Sequence, residues 1–336
     1  MSTLKRYSSL LCTAILIVLL LAACGSNTNN SSEAANASAT ANPAQTAESA
    51  QATAAQTAGT GETRSFTDAK DRQIEIPAEP QRIVYIGSDP GDLLALDVKP
   101  AGASLSVIGT QVAYPDLLKG IEDVGYPPSL EKIVALNPDL ILYNDWDDSA
   151  IESVSAIAPT VVISEGGTFE RLRQIADALG KQELAEQKIT EYETKAAAVK
   201  DQLKLDLGTG DTATIYLQLG KTLYVMGHQG ISVSLYDMLG FKPSAKVQEL
   251  MDKDERFAEI SAEVLADYAG DEVFVLGDET AETTAAMQEL TEGPIWKTIP
   301  AVKNGHVYVT DSKWNFDDLI TRTRLLEELP VLMAKQ

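Results

Sequence analysis

Side chains able to do covalent or metal chemistry are few and widely separated. Cys12 and Cys24 are the only cysteines and both precede residue 25, so the body of the chain has no thiol nucleophile, disulfide or Cys-based zinc site. His228 and His306 are too few for a His-rich metal centre. Asp145, Asp147 and Asp148 form the one compact acidic group near a strand end, and a solvated loop is its plainer reading. No Gly-rich phosphate loop, nucleophile elbow or Cys–His pair is present, and Asp317-Asp318 lacks the cleft context a working carboxylate pair needs. What remains suits non-covalent binding. Trp146 and Trp314 each stand among polar residues, where an amphipathic ring can grip the apolar part of a ligand, and His228 can donate a hydrogen bond. The chain therefore reads as a binder with no catalytic residues and no resident cofactor.

Alternating short β-branched runs and amphipathic stretches must position these groups. Strands are expected at Ile74–Ile76, Ile83–Ile86, Asp139–Tyr143, Val161–Ile163, Ala213–Gln218, Thr222–Met226, Glu272–Leu276 and Val307–Thr310. Helical periods between them give an α/β architecture with mostly parallel sheets. Lys181 to Leu205 carries Tyr192, Ala196, Val199 and Leu203 at spacings of 4, 3 and 4 with no Gly or Pro. It is expected to be one helix roughly 38 Å long, a strut between two lobes. The division is 63–180 for the first α/β lobe, 181–207 for the connecting helix and 208–336 for the second. Ligand clefts in such folds lie at strand ends. The candidates there are Ser88 after Ile86, Ser104, Tyr143 and Trp146 after Leu142, His228 and Gln229 after Met226, and Trp314 after Thr310.

Residues 1–23 read as a secretory signal. Lys5 and Arg6 precede the apolar run Leu10–Leu21, which is too short to span a bilayer. Leu21-Ala22-Ala23-Cys24 resembles a bacterial lipobox, which implies lipidation of Cys24 and an anchor at the outer face of the cell membrane. Residues 24–62 have no aliphatic side chain larger than Ala and read as a tether that cannot bury a core. A net charge of −22 and a pI near 4.4 exclude a phosphate-backbone partner, so nucleic acid is set aside.

The two halves share a pattern. Ser129-Leu130-Glu131 leads into a strand at Asp139, and Ser261-Ala262-Glu263 leads into one at Asp271. Leu96–Pro100 and Leu239–Pro243 make a looser second pair. Together with Pro80–Val84, Leu94–Gly102, Ser129–Ile141, Ile157–Val161 and Trp296–Tyr308, this resembles the ABC-transporter substrate-binding lipoproteins for ferric siderophores, relatives of the cobalamin and haem carriers. The resemblance implies a class III periplasmic-binding-protein-like fold: two α/β lobes joined by a single long rigid helix, a cleft between them and modest closure on binding. It also implies that Glu131 and Glu263, one per lobe, dock into Arg pockets of a permease heterodimer or homodimer driven by ATPase subunits. The binding protein itself is expected to be a monomer.

A solvated, salt-linked face is the expectation for Arg171 and Arg173 with Glu170 and Asp177, and for Arg322 and Arg324 with Glu327 and Glu328. No basic cluster marks either lobe, though Lys99, Lys221 and Lys313 could converge on a cleft. A near-neutral ferric hydroxamate is therefore favoured over an anionic catecholate or citrate complex; cobalamin and haem are the alternatives on the same scaffold. Trp296 and His306 read as structural.

Overall fold

A computed structural model describes residues 61–334 except 110–111, 145–146, 165 and 204–210. The signal segment, Cys24, nearly all of the tether and Trp146 lie outside the described residues. The described residues make one compact unit. Among the described residues no helix is long and apolar enough to cross a membrane.

The chain opens with an antiparallel hairpin, β1 (Thr63–Thr67) and β2 (Gln73–Pro77), which buries Phe66 and Ile76. The first sheet follows in the order β5-β4-β3-β6-β7, parallel throughout, with β3 Ile83–Gly87, β4 Gly102–Ala103, β5 Glu122–Asp123, β6 Leu140–Asn144 and β7 Thr160–Val162. Every residue of β3 and β6 is buried, as expected where helices cover both faces of a parallel sheet.

The second sheet contains β8 Thr212–Leu219, β9 Thr222–Met226, β10 Lys242–Pro243, β11 Phe257–Ile260, β12 Glu272–Gly277 and β13 Val307–Asp311. Its order is β11-β9-β8-β12-β13, with β10 pairing β8. β8, β10, β12 and β13 are parallel, whereas β8–β9–β11 is an antiparallel meander. Gly220, at φ +55°, turns β8 into β9.

The shared pattern of the halves has a physical basis. Asp139, before β6, accepts from the backbone N–H groups of Gln81 and Arg82 at 2.7 and 2.9 Å. Asp271, before β12, accepts from the Thr212 backbone N–H at 3.0 Å and from its hydroxyl at 2.8 Å. Each aspartate thus ties its strand to the start of the sheet's central neighbour. The looser pair matches too: Asp97 and Gly240 both take positive φ just before the chain reaches β4 and β10.

The connecting helix runs Gln182–Leu203, inside the expected span, whose last residues lie outside those described. It buries Ala185, Ile189, Tyr192, Ala196 and Val199 along one stripe and leaves the opposite face charged. A core cluster that includes residues of both sheets packs on it, and a smaller cluster around Val84, Ile86 and Tyr143 fills another part of the first lobe. The last helix, Leu319–Met333, does not stay with the second sheet. Its Arg324 donates to the Ala113 carbonyl at 2.8 Å and pairs with Asp116 at 2.7 Å, both in the first half.

Candidate functional site: the pocket between the lobes

A pocket of about 330 Å³ has walls from both halves. Gly167 and Thr168 come from the start of helix Thr168–Leu179, His228 and Val233 from beyond β9, and Arg256 and Asp317 from the turns before β11 and the last helix. The Gly227 backbone N–H donates to the Arg256 carbonyl at 2.8 Å, which fixes the 254–256 turn beside His228. The His228 Nε2 lies 3.0 Å from both carboxylate oxygens of Asp237, and this hydrogen bond raises the imidazole pKa above its ordinary value against the effect of burial. A larger cavity, about 840 Å³, lies wholly on the second half beside Glu263, between β11 and helix Ala281–Glu292. The smaller one is the better ligand site, because polar groups from two lobes converge on it.

Beneath the pocket lies a buried charge cluster that sequence reasoning misread. Arg171 is 2% exposed, and its guanidinium reaches Asp92 at 2.6 Å, Asp317 at 3.4 Å and Asp89 at 3.7 Å. It is not part of a solvated face, and Asp317-Asp318 does have cleft context. The reason is topological: helix Gly91–Ala95, helix Thr168–Leu179 and the start of the last helix meet here from three distant parts of the chain. Asp92 also accepts from the Leu319 N–H at 2.9 Å, and the Thr168 hydroxyl donates to the Asp317 carbonyl at 2.5 Å, so the cluster clasps the first half to the last helix. Burial pushes Asp92 up to about 6, outweighing the adjacent Arg171. Burial, with Asp92 and Asp89 nearby, pushes Asp318 up to about 8.

Other arginines differ from expectation as well. Arg173 does pair on the surface, but with Glu186 at 2.6 Å rather than Glu170 or Asp177. Arg322 is buried against Phe169 and Tyr192, and Arg324 pairs with Asp116 rather than Glu327 or Glu328. The three lysines do not converge. Lys99 donates to the Lys119 carbonyl, Lys221 lies 3.9 Å from Glu282 at the larger cavity, and Lys313 sits 4.8 Å over the Trp314 ring. Arg256 is the cation that sequence reasoning missed; the charge run Asp254-Glu255-Arg256 before β11 was its only signal.

Of the residues expected at the cleft, His228 lines the pocket. Ser88 is half-buried and donates to Asp89 at 2.7 Å, at the edge of the charge cluster. Ser104 is buried and its hydroxyl has no partner among the described residues. Tyr143 is buried at the end of β6, with its hydroxyl donating to the Asp147 carbonyl, and packs in the first-lobe core. Gln229 is held in the turn after β9 by Ser232, which accepts from its N–H at 2.9 Å and donates to its carbonyl at 2.7 Å. Trp314 is 3% exposed under Lys313, so its ring packs in the interior rather than forming a pocket wall. Trp296 is buried, and His306 lies 3.2 Å from Glu272. Among the described residues no three His, Cys, Asp or Glu side chains are placed to hold a metal ion.

Glu131 is exposed in the first turn of helix Leu130–Leu136, where the Ser129 hydroxyl accepts from the Lys132 N–H at 3.4 Å. Glu263 is exposed in the 3-10 turn Ala262–Val264, which Ser261 does not cap through its side chain. Each acid has exposed apolar neighbours, Leu130 and Val134 for the first and Val264 for the second.

The residues carrying this architecture also match a known family, described as Periplasmic binding protein, over 83–314. The chain belongs to the periplasmic binding protein family. Over 330 residues it is 29% identical to the iron(3+)-hydroxamate-binding protein FhuD of Bacillus subtilis, covering 96% of each chain. Its fold matches FhuD of S. pseudintermedius with a TM-score of 0.72 at 25% identity, over 82% of this chain and 99% of that one. Staphylococcus aureus SirA, solved in complex with staphyloferrin B, matches with a TM-score of 0.70 at 25% identity, over 81% and 99%. The family places the two-lobed, strut-joined fold among binders with FhuD-like architecture.

Proposed function

We propose that this chain is the extracytoplasmic binding component of an ABC importer, capturing a ferric siderophore between its lobes and delivering it to a permease. One observation carries the reading: the relative matched across 96% of both chains is an iron(3+)-hydroxamate binder. The pocket chemistry supports a hydroxamate. Asp254, Glu255 and Asp317 offset Arg256 and His228 around it, so a near-neutral chelate meets little net repulsion and a highly anionic one gains no basic excess. Binding leaves the ligand's covalent state unchanged and uses no cofactor. Cys24 carries the lipid anchor at the outer face of the cell membrane, the protein acts as a monomer, and Glu131 and Glu263 dock on the two permease subunits.

The test is radiolabelled ferrioxamine uptake in a host lacking its own copy of this chain. Wild type restores uptake; Glu131→Ala with Glu263→Ala lowers it by about tenfold or more, while affinity for the chelate is unchanged. Lost chelate affinity in the double variant contradicts the docking role, and failure of wild type to restore uptake contradicts the function.

A further inference from the structure

The cavity of about 840 Å³ on the second half has its chemistry divided between floor and mouth. Leu223, Leu265, Leu290 and Trp296 are buried and make an apolar floor, which the exposed Ile295 continues outward. The Tyr216 hydroxyl donates to the Leu265 carbonyl at 2.7 Å and holds that side of the floor in place. Glu259, Glu263, Glu282 and Glu289 are exposed around the mouth. Lys221, 3.9 Å from Glu282, is the one basic residue of the lining, so the mouth is strongly acidic.

This division indicates the kind of occupant. A small ligand is oriented by polar groups that converge inside its pocket. Here the one buried polar side chain of the lining, Gln218, turns its amide N–H groups to the Gly220 and Thr222 carbonyls at 3.0 and 3.2 Å, and the charges all stand at the mouth. Such a surface complements a polypeptide segment whose apolar side chains enter over the floor while Lys or Arg meets the acids outside. The tether of this chain is no match, because residues 25–62 have no Lys or Arg and no aliphatic side chain larger than Ala. A second copy would bring a net charge of −22 to an acidic mouth. Glu263, the acid read above as a contact to one permease subunit, is itself part of the lining, so the groove is continuous with that contact.

We infer that this groove receives an extracytoplasmic segment of the permease that carries apolar side chains beside Lys or Arg. The inference deepens the docking reading of Glu263 and rests on it. The floor supplies apolar burial, and the acids select a cationic partner and set its register.

Two variants and one cross-link test it in host cells that make the permease and lack their own copy of the full-length chain. Ala286→Trp fills the groove, and Glu259→Lys with Glu289→Lys reverses charge at its mouth on exposed side chains. Each lowers ferrioxamine uptake by about tenfold or more, with ferrioxamine affinity and melting temperature unchanged. A photoreactive phenylalanine analogue at the exposed Ala285 forms an adduct with a permease membrane subunit, on a segment containing Lys or Arg; the same analogue at Thr190, on the exposed face of the strut, does not. Unchanged uptake in both groove variants, where Glu131→Ala with Glu263→Ala abolishes it, overturns the inference and leaves the docking reading standing; unchanged uptake in all three overturns both. Lost ferrioxamine affinity or a lowered melting temperature in both groove variants also overturns it. The cross-link decides the inference whatever the cargo: an adduct only with a second copy, only with the tether, or with no protein overturns it.

Discussion

Gly91 opens a short helix at the point where the two ends of the fold meet. A Cβ there would stand 1.9 Å from an Asp318 carboxylate oxygen and 2.4 Å from its Cγ. Asp318 is fixed by capping the last helix through the Thr321 N–H and hydroxyl, at 2.9 and 2.8 Å. Gly91→Ala should therefore cost about 1–3 kcal/mol, seen as a lower urea midpoint. The cluster also sets a pH dependence. Asp92 at about 6 and Asp318 at about 8 both lie above the ordinary aspartate value of the unfolded chain. Between about pH 4 and 8 the unfolded chain gives up protons that the folded one keeps, so stability falls as pH rises through that window. Asp318→Asn keeps the cap and should flatten the fall in melting temperature from about pH 5 to about pH 8.5; equal slopes would contradict the assignment. None of this was legible from local sequence. Arg171 stands near Glu170 and Asp177 in the chain, and nothing local reports that Asp92 and Asp317 reach it, 79 and 146 residues away.

The elements were more readable than the residues between them. Runs such as Ile83–Ile86 and Glu272–Leu276 mark strands buried on both faces, and all eight expected strands formed. β4, β5 and β10 have two residues each, too few to carry a pattern, while β1 is mainly polar and exposed and β11 is a four-residue strand, Phe257–Ile260, with no buried residue. The strut was legible because its apolar stripe recurs without interruption. Ile189, at 3% exposure, is central to that stripe. Ile189→Ala should cost about 2–4 kcal/mol in denaturant unfolding, whereas Thr190→Ala, one residue away on the exposed face, should shift stability by no more than about 0.5 kcal/mol.

Across the whole molecule, the same construction appears twice, with an aspartate tying each second strand to its neighbour and an exposed glutamate, Glu131 or Glu263, beside exposed apolar side chains on each half. That correspondence was visible in Glu131 and Glu263 because it is local. The candidate site was legible only in outline: strand ends pointed to His228, whereas Arg256 and Asp317 are brought to it by tertiary packing. The central claim is that this pocket binds a ferric siderophore. Tryptophan-fluorescence titration with ferrioxamine B, ferrichrome, a ferric triscatecholate, ferric citrate, cobalamin and haem tests it most directly. The account predicts saturable, absorbance-corrected quenching by an iron-loaded hydroxamate and much weaker binding of its iron-free form. Tight binding confined to cobalamin or haem, or no binding to any of the six, would contradict it.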